Sequence, residues 1–568
     1  MEPCPIIFSK RSDDSIMCQP RFLVLLTLLF ATGCTPLGEY LNNGMKVGPN
    51  YCPPDAMVAP DWIDAGDKRV DDSQIDMAQW WTVFGDPSLD ALIRTATRQN
   101  LTLREAGFRV LQARAARAIA AGNLFPQQQA AVGGFARNAA STAVANRDFL
   151  LEPYFDQWDA GFNLAWELDF WGRFRRAVEA ADADLDAQVA EYDHVMVTLF
   201  SDVAAAYVEI RTLQQRIALA RENVRLQRET NTIADARYRG GQVSELDVDQ
   251  AAATLAQTEA LIPQLELRLR ETSNLLCILM GIPPTDLQRV LGTGPIPSAP
   301  GEVVVGVPAD LLRRRPDVRR AEREVAAQSA RVGVATAELY PHIGIGGALA
   351  FSSEDFSDLL SSAAFQGNVG PTFRWNILNY GRLINSIRLQ DVRLAERMVR
   401  YQNQVLRANA EVENGIAQFL HGIERARWLD TSVAASEKAA RIALAQYKGG
   451  IISFNWLAMI QQDLVQRQEL LAQAQGETVL GLVETYRALG GGWEPTRPML
   501  PMDESRVGPL FVVPSLVHPS PEPEAEILPT PDAEPGSGLL HEAEPISQGN
   551  PVTTSSRTTW TPPLDWRG

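Results

Sequence analysis

Long hydrophobic runs are almost absent from these 568 residues: although 45% of them are apolar, the one sustained apolar run is Phe22 to Phe30. A membrane-spanning helix needs about 20 such residues, so no internal transmembrane helix is expected. Positive charge is also short. With 52 Lys+Arg against 69 Asp+Glu the net charge is −17, which excludes wholesale nucleic-acid binding, because neutralising phosphates takes a basic surface. Histidine is scarce: the five residues, at 194, 342, 421, 518 and 541, are scattered, and no GxSxG, HExxH or P-loop is present, so an enzyme reading finds no support. The five cysteines, at 4, 18, 34, 52 and 277, form no paired framework and show no metal-binding spacing, so neither a metal nor a cofactor is expected.

What is present begins with one distinctive cysteine. Arg21, the apolar run and Ala31-Thr-Gly-Cys34 read as a basic flank, a short apolar core and small residues before Cys34. This resembles a bacterial lipoprotein signal, which implies cleavage before Cys34 and lipidation of its sulfur, an ordinary signal peptide being the alternative. Asp13 and Asp14 are unusual ahead of an export signal, so translation is expected to start at Met17. Thr35, in place of Asp, implies by the same resemblance sorting to the outer membrane.

The chain is written twice. Phe170-Trp-Gly-Arg173 recurs as Asn379-Tyr-Gly-Arg382, Ala236-Arg-Tyr-Arg-Gly-Gly241 as Ala445-Gln-Tyr-Lys-Gly-Gly450, and Leu279-Met-Gly281 as Ala488-Leu-Gly490, each 209 positions later. Leu124-Phe-Pro126 and Leu339-Tyr-Pro341 lie 215 apart, so a small length change follows them. A period this long is a duplicated half, not a solenoid repeat. The expected segments are 1–33 (signal), 34–85 (lipidated segment), 86–290 and 291–493 (the two halves) and 494–568 (tail). The tail holds 15 of the 36 prolines and 11 acids against 4 arginines, a composition unable to build a core.

Each half carries two strand signals. From Trp158 the even positions Ala160, Phe162, Leu164, Trp166, Leu168 and Phe170 alternate against Asp159, Gly161, Asn163, Ala165, Glu167 and Asp169. The second copy sets Val369, Phe373, Trp375 and Ile377 against Asn368, Thr372, Arg374 and Asn376, with Pro371 expected to interrupt the ladder. Their partners read Ile343, Ile345, Leu349 and Phe351, and more weakly Ala130 and Val132. A half-buried soluble sheet would show the same alternation, but the lengths reach the about 9 to 11 residues of a membrane strand, with aromatics on the apolar face.

Between the strand pairs run helices. Arg173 to Tyr238 is 66 residues without Pro or Gly, and Leu383 to Lys448 is 66 without Pro, softened at Gly415 and Gly422. Such helices would be about 100 Å long. Leu89 to Ala121 and Ser244 to Met280, the latter kinked at Pro263, are expected to stack end to end along the first. Their Ala-rich apolar positions and many Arg, Gln and Glu suit a wall with water on both sides rather than a solid bundle. Each long helix ends in a glycine turn: Tyr238-Arg-Gly-Gly-Gln-Val-Ser-Glu-Leu-Asp247, read as a C-cap followed by a Ser244–Asp247 capping box, and Tyr447-Lys-Gly-Gly-Ile-Ile-Ser-Phe-Asn-Trp456.

Lys46-Val-Gly-Pro-Asn-Tyr51, Trp81-Thr-Val-Phe-Gly-Asp-Pro87, Trp166-Glu-Leu-Asp-Phe-Trp-Gly172, Gly241 to Gln250, Leu311-Leu-Arg-Arg-Arg-Pro-Asp-Val318 and Ala488-Leu-Gly-Gly-Gly-Trp493 together resemble the TolC-type outer-membrane efflux channels, specifically the lipoprotein subunits of tripartite, RND-type pumps. On the residues themselves the arginine cluster is ringed by acids and reads as a helix start rather than an anion site. The resemblance implies an α+β membrane channel of duplicated halves, each with two transmembrane strands and long coiled-coil helices, three copies forming a 12-stranded β-barrel and a periplasmic helical barrel. Four strands cannot close alone, and an open edge cannot sit in lipid, which requires oligomers without choosing their number.

The resemblance further implies a passive exit duct for drugs or other small toxic compounds. Its partners would be a periplasmic adaptor, an inner-membrane transporter and outer-membrane lipid. Adaptor contacts fall on Tyr238, Gly240, Gly241, Ser244, Leu246, Tyr447, Gly449, Gly450 and Ser453. At the aperture, Met459 and Gln462, with Asn455 before them, stand where relatives often place a charged latch, leaving Asp247 and Asp249 as a ring of negative charge. A type I secretion channel and a non-conducting coiled-coil lipoprotein remain the alternatives. The tail departs from the family, as a flexible acidic arm or a solvated extension.

Overall fold

The computed structural model describes residues 37–493 except 72, 74–76, 142, 144–153 and 307–313. Cys34 with its signal, the Met17 start, the 494–568 tail and Leu311 to Arg313 therefore lie outside the described residues.

Four strands, β2 (Gln128–Ala139), β3 (Tyr154–Leu168), β5 (His342–Ser353) and β6 (Phe365–Arg374), form one antiparallel sheet in the order β2-β3-β5-β6. The β3–β5 pairing joins the two halves. Register decides the faces, since a one-residue slip would turn every side chain over. Phe135 opposite Trp158, Phe162 opposite Leu349, Trp166 opposite Ile345 and Phe373 opposite Ile343 place the aromatic and aliphatic side chains on one face. Gln157, Asp159, Asn163, Glu167, Ser352, Asn368 and Thr372 share the other.

The register corrects three expectations. Ala130 and Val132 fall on the polar face, because β2 takes its phase from β3 rather than from its own weak alternation. Pro371 does not interrupt the ladder to β5: the Ser352 N–H donates to the Ala364 carbonyl, so even positions of β6 face β5 and the missing N–H of Pro371 faces the free edge. Trp375 and Ile377 lie beyond the strand, since β5 starts at His342, opposite Arg374, and supplies no partner further on.

Helices α4 (Arg173–Arg239) and α7 (Arg382–Lys448) have 67 residues each, about 100 Å at 1.5 Å per residue. The expected helix Leu89 to Ala121 is instead two, α2 (Pro87–Gln99) and α3 (Leu101–Gly122). Asn100 breaks it because its side chain does two jobs: its Oδ1 accepts from Leu103 N–H at 2.7 Å, and its Nδ2 donates to the Leu279 carbonyl at 2.8 Å. Leu279 ends α5 (Glu245–Leu279), a helix continuous through Pro263, so α3 and α5 abut end to end along α4. Gly281 follows with φ 72°, and a side chain there would overlap the Gln99 carbonyl.

The second half repeats this joint with different chemistry. Arg315 precedes α6 (Pro316–Ala337) and donates to the Ala488 carbonyl at 2.7 Å, where α8 (Phe454–Ala488) ends. It also holds Asp317 (3.0 and 2.7 Å) and Glu411 (2.7 Å). The arginine of the Arg-Arg-Arg-Pro-Asp motif is thus a helix-end clamp. Burial would raise the Asp317 carboxyl, but hydrogen bonds and charge from Arg315 overcome it and hold it below the usual carboxylate range.

The largest core packs Trp80, Trp81, Leu89, Phe200, Tyr207, Phe419 and Tyr486 around the middle of α4. Trp80 stacks on Tyr486 with centroids 5.5 Å apart. The Gly-Gly-Gly-Trp ending closes over it: a side chain on Gly491 would press on Trp80 (3.0 Å), and one on Gly492, whose φ is 108°, would overlap Phe200 (2.8 Å). Arg319 sits 5.0 Å over the Trp493 ring.

The segment after α1 (Leu37–Asn42) is a strap laid along both halves. Arg176 donates to the Val47 carbonyl (3.1 Å), Tyr51 to Glu322 (2.8 Å), and Trp62 to the Gly306 carbonyl (2.9 Å). The strap ends where β1 (Val70–Asp71) pairs in parallel with β4 (Val303–Val304).

Candidate functional site: the hairpin tips

At the end of α4, Gly240 caps the helix and Gly241 takes φ 67°; Gly449 and Gly450 (φ 74°) do the same for α7. Gly241 N–H returns to the Tyr238 carbonyl (2.8 Å) and Gln242 N–H to that of Arg237 (2.9 Å). Gly450 and Ile451 repeat both bonds to Tyr447 (3.0 Å) and Gln446 (2.9 Å). Each is a Schellman turn, and the αL residue in it is why glycine stands there. Ser244 and Ser453 occupy the N-cap positions, but neither side chain makes a capping hydrogen bond. The expected Ser244–Asp247 capping box is therefore absent.

The two tips are joined by side chains that the sequence reading passed over. Arg237 donates to the Tyr447 carbonyl (2.6 Å), and its guanidinium lies 4.8 Å over the Tyr447 ring. Lys448 pairs with Glu229 at 2.7 Å. Beneath these bonds Ala234, Ala251, Ala443, Tyr447, Phe454 and Leu457 form a small core drawn from all four helices. The available signal was a difference between the copies: Arg237 stands where the second half has Gln446.

This core also corrects one site residue. Tyr447 is 0% exposed, so its ring is not available to a docking protein, whereas Tyr238 is 42% exposed and Leu246 63%. Gly240, Gly241, Ser244, Gly449, Gly450 and Ser453 are all exposed. The Tyr447 hydroxyl has no hydrogen-bond partner among the described residues. Burial pushes its pKa up, Arg237 opposes this, and the Asp247 charge adds to the rise. Asp247 is thus half-buried beside Tyr447, while Asp249, Asn455, Met459 and Gln462 are exposed, Gln462 donating to Gln257 at 3.4 Å.

The outer membrane efflux protein family profile matches residues 92–281 and 307–491, one stretch in each half. The chain belongs to the outer membrane efflux protein family. Among its relatives, pyoverdine export outer membrane protein OpmQ of Pseudomonas putida is 30% identical over 435 residues, 74% of this chain and 89% of that protein. Nodulation protein T of Rhizobium leguminosarum bv. trifolii is 28% identical over 474 residues, 82% of this chain and 98% of that one. The solved outer-membrane channel OprN superposes with a TM-score of 0.74 at 32% identity, over 79% of this chain and all of that one. The Campylobacter jejuni CmeC channel shares the fold, with a TM-score of 0.73 at 21% identity. The protein is an outer-membrane efflux component, and the α+β architecture of sheet and long helices is that of an efflux channel.

Proposed function

We propose that three copies of this chain close their sheets into one 12-stranded barrel and their helices into a periplasmic tube, forming the exit duct of a tripartite pump. The observation that carries this reading is a four-stranded sheet with one apolar face, a polar opposite face and both edge strands, β2 and β6, unpaired on their outer sides among the described residues. A sheet of that kind is soluble neither in water nor in lipid until its edges meet. The strap begins beside the sheet's helical end, where Tyr40 donates to the Phe170 carbonyl at 2.7 Å, which suits an anchor at Cys34 in the facing leaflet.

The exposed tips Tyr238, Leu246 and the two glycine turns contact a periplasmic adaptor, and an inner-membrane transporter supplies the cargo. Relatives are named for pyoverdine export and toluene efflux, so small organic compounds are the cargo class. Asp247 and Asp249 give the aperture a negative ring in place of a charged latch. Asp249→Asn is expected to lower resting cation conductance, and an unchanged conductance removes this part of the reading.

Reconstitution of the full-length lipoprotein in planar bilayers tests the whole. Trimers by native mass, stepwise ion conductance and a diacylglycerol adduct on Cys34 are expected. Oligomers that never conduct would favour a structural lipoprotein instead.

A further inference from the structure

Back from the tips, the antiparallel helices α4 and α8 meet in a layer of amides. Asn223 Nδ2 donates to Gln468 Oε1 (2.9 Å), and Gln461 Nε2 donates to Thr230 Oγ1 (3.0 Å). From one pair to the other is seven residues on each helix, so Gln227, four after Asn223, falls level with Leu464, four before Gln468. A leucine offers nothing to a carboxamide. Gln227 is 4% exposed, and neither its Oε1 nor its Nε2 has a hydrogen-bond partner among the described residues. Burying both ends of an amide unpaired is costly, and protein interiors seldom keep such a group without something to answer it.

The amide lines a cavity rather than solid protein. About 310 Å³ in volume, the cavity is bounded by α4, α7 and α8, a size within the range of small-molecule sites. Leu219, Leu226, Leu444 and Leu464 give it apolar walls. Asn223, Gln461 and Gln468 also reach it, but their amides are committed to the layer, Gln468 donating in addition to Glu437 at 3.1 Å. On the tip side the Lys448–Glu229 pair ties α7 to α4, so the three helices that frame the cavity are held together. The second half fills the same place differently. Ser436, the residue 209 positions after Gln227, is short, and its hydroxyl donates to Asp463 at 3.3 Å. A long, unpaired amide is therefore a departure that packing of this layer does not require.

We propose that this cavity binds a small neutral organic molecule that carries a cis amide, as a lactam does, on an apolar body. A cis amide presents its N–H and C=O side by side, as the Gln227 carboxamide does, so the two groups meet edge to edge. Gln227 Nε2 donates to the ligand carbonyl, and the ligand N–H donates to Gln227 Oε1. The alkyl ring lies against the leucines and leaves water. A trans amide points its two groups opposite ways and answers one end of Gln227 at a time. An anion is disfavoured, because the ionisable residues of the lining are two acids, Glu222 and Glu437, and one base, Arg441. The site is complete within one chain, so it stands apart from the barrel reading.

The probe is ε-caprolactam, titrated into the full-length protein in lipid nanodiscs and followed by saturation-transfer NMR. For a molecule this small a Kd of about 1 mM is expected. N-Methylcaprolactam lacks the N–H and should bind about tenfold more weakly, as should caprolactam to Gln227→Leu, since each change leaves a buried amide group unanswered. Gln227→Leu should melt no lower than wild type, so that a lost signal is not a lost fold. Ala440→Trp fills the cavity from α7, leaves Gln227 in place and should also abolish binding. No saturable binding to wild type up to about 50 mM would mean that the cavity holds water only, and would overturn the site. Equal binding of the N-methyl compound, or full binding retained in both variants, overturns it as well. Preferential binding of cyclohexanecarboxylate overturns the neutral ligand class.

Discussion

The two halves share a backbone and differ in what they ask of their side chains. In the first, α4 is covered by α3 and α5 of its own half and by α6 and α8 of the other, and its buried positions under α6 are small: Ala180, Ala183, Ala187 and Ala190. In the second, α7 packs against its own α6 and α8 and is touched by the strap at Gln402, Val405 and Glu413, while the positions equivalent to Ala180, Ala183 and Ala190 are the exposed Leu389, Val392 and Val399. Small side chains let helices of one chain approach closely, whereas the larger ones leave apolar area exposed on the single chain. The joints differ in the same spirit. Asn100 ties its joint with neutral hydrogen bonds, and Arg315 with a buried ion pair.

That difference is broken most severely at Asp317. Asp317→Asn leaves the buried Arg315 with Glu411 as its remaining carboxylate and should cost toward the low end of about 3–5 kcal/mol, read as a fall in thermal midpoint. Its pH dependence has a definite sign. A carboxyl held low in the folded protein contributes stability that is fully present above its unfolded pKa of about 4 and is lost as pH falls below that toward the native value. The wild type should therefore converge on Asp317→Asn in acid. A constant gap between them across pH 2 to about 7 would contradict the ion-pair account.

Next in size is the contrast between the two tip tyrosines. Tyr447→Ala empties the small tip core and should cost about 3 kcal/mol, seen as faster hydrogen exchange across both turns. Tyr238→Ala at the exposed equivalent should change stability by less than about 0.5 kcal/mol. Tyr447→Phe sharpens the point. Its hydroxyl is buried without a partner, so removing it should be neutral or stabilising, by up to about 1 kcal/mol.

How far this contrast could be read from residues alone follows from where the information lies. The duplication, the 67-residue helices and the strand β3 were legible because period, composition and alternation are local properties. Strand β2 was not: with Ala131 and Gly133 on its apolar face it carries almost no pattern, and only pairing to β3 phases it. The break at Asn100 was missed because leucine and alanine flank it with helical spacing, and its reason sits 179 positions away at Leu279. The tip turns were readable from their glycines, since a positive φ demands them. The burial of Tyr447 was not, because Arg237 and Phe454 reach it from other elements.

A smaller effect separates the joints. Asn100→Ala removes the cap of α3 and the bond to Leu279 but leaves no buried charge, so about 1–2 kcal/mol is expected, well below Asp317→Asn. Equal costs in thermal melts of the two variants would mean that the charge at the second joint adds nothing.

The smallest effect is expected at Ser244 and Ser453. Serine at an N-cap normally stabilises a helix by about 1 kcal/mol through its hydroxyl. Here both residues have the extended backbone of a cap, with ψ near 160°, yet neither hydroxyl reaches an amide of the following turn. Ser244→Ala and Ser453→Ala should each cost less than about 0.5 kcal/mol, leaving the Schellman glycines to hold the turn. A loss near 1 kcal/mol in either variant would show that the hydroxyl caps its helix in solution, and one loss without the other would locate a difference between the tips that their matched backbones conceal.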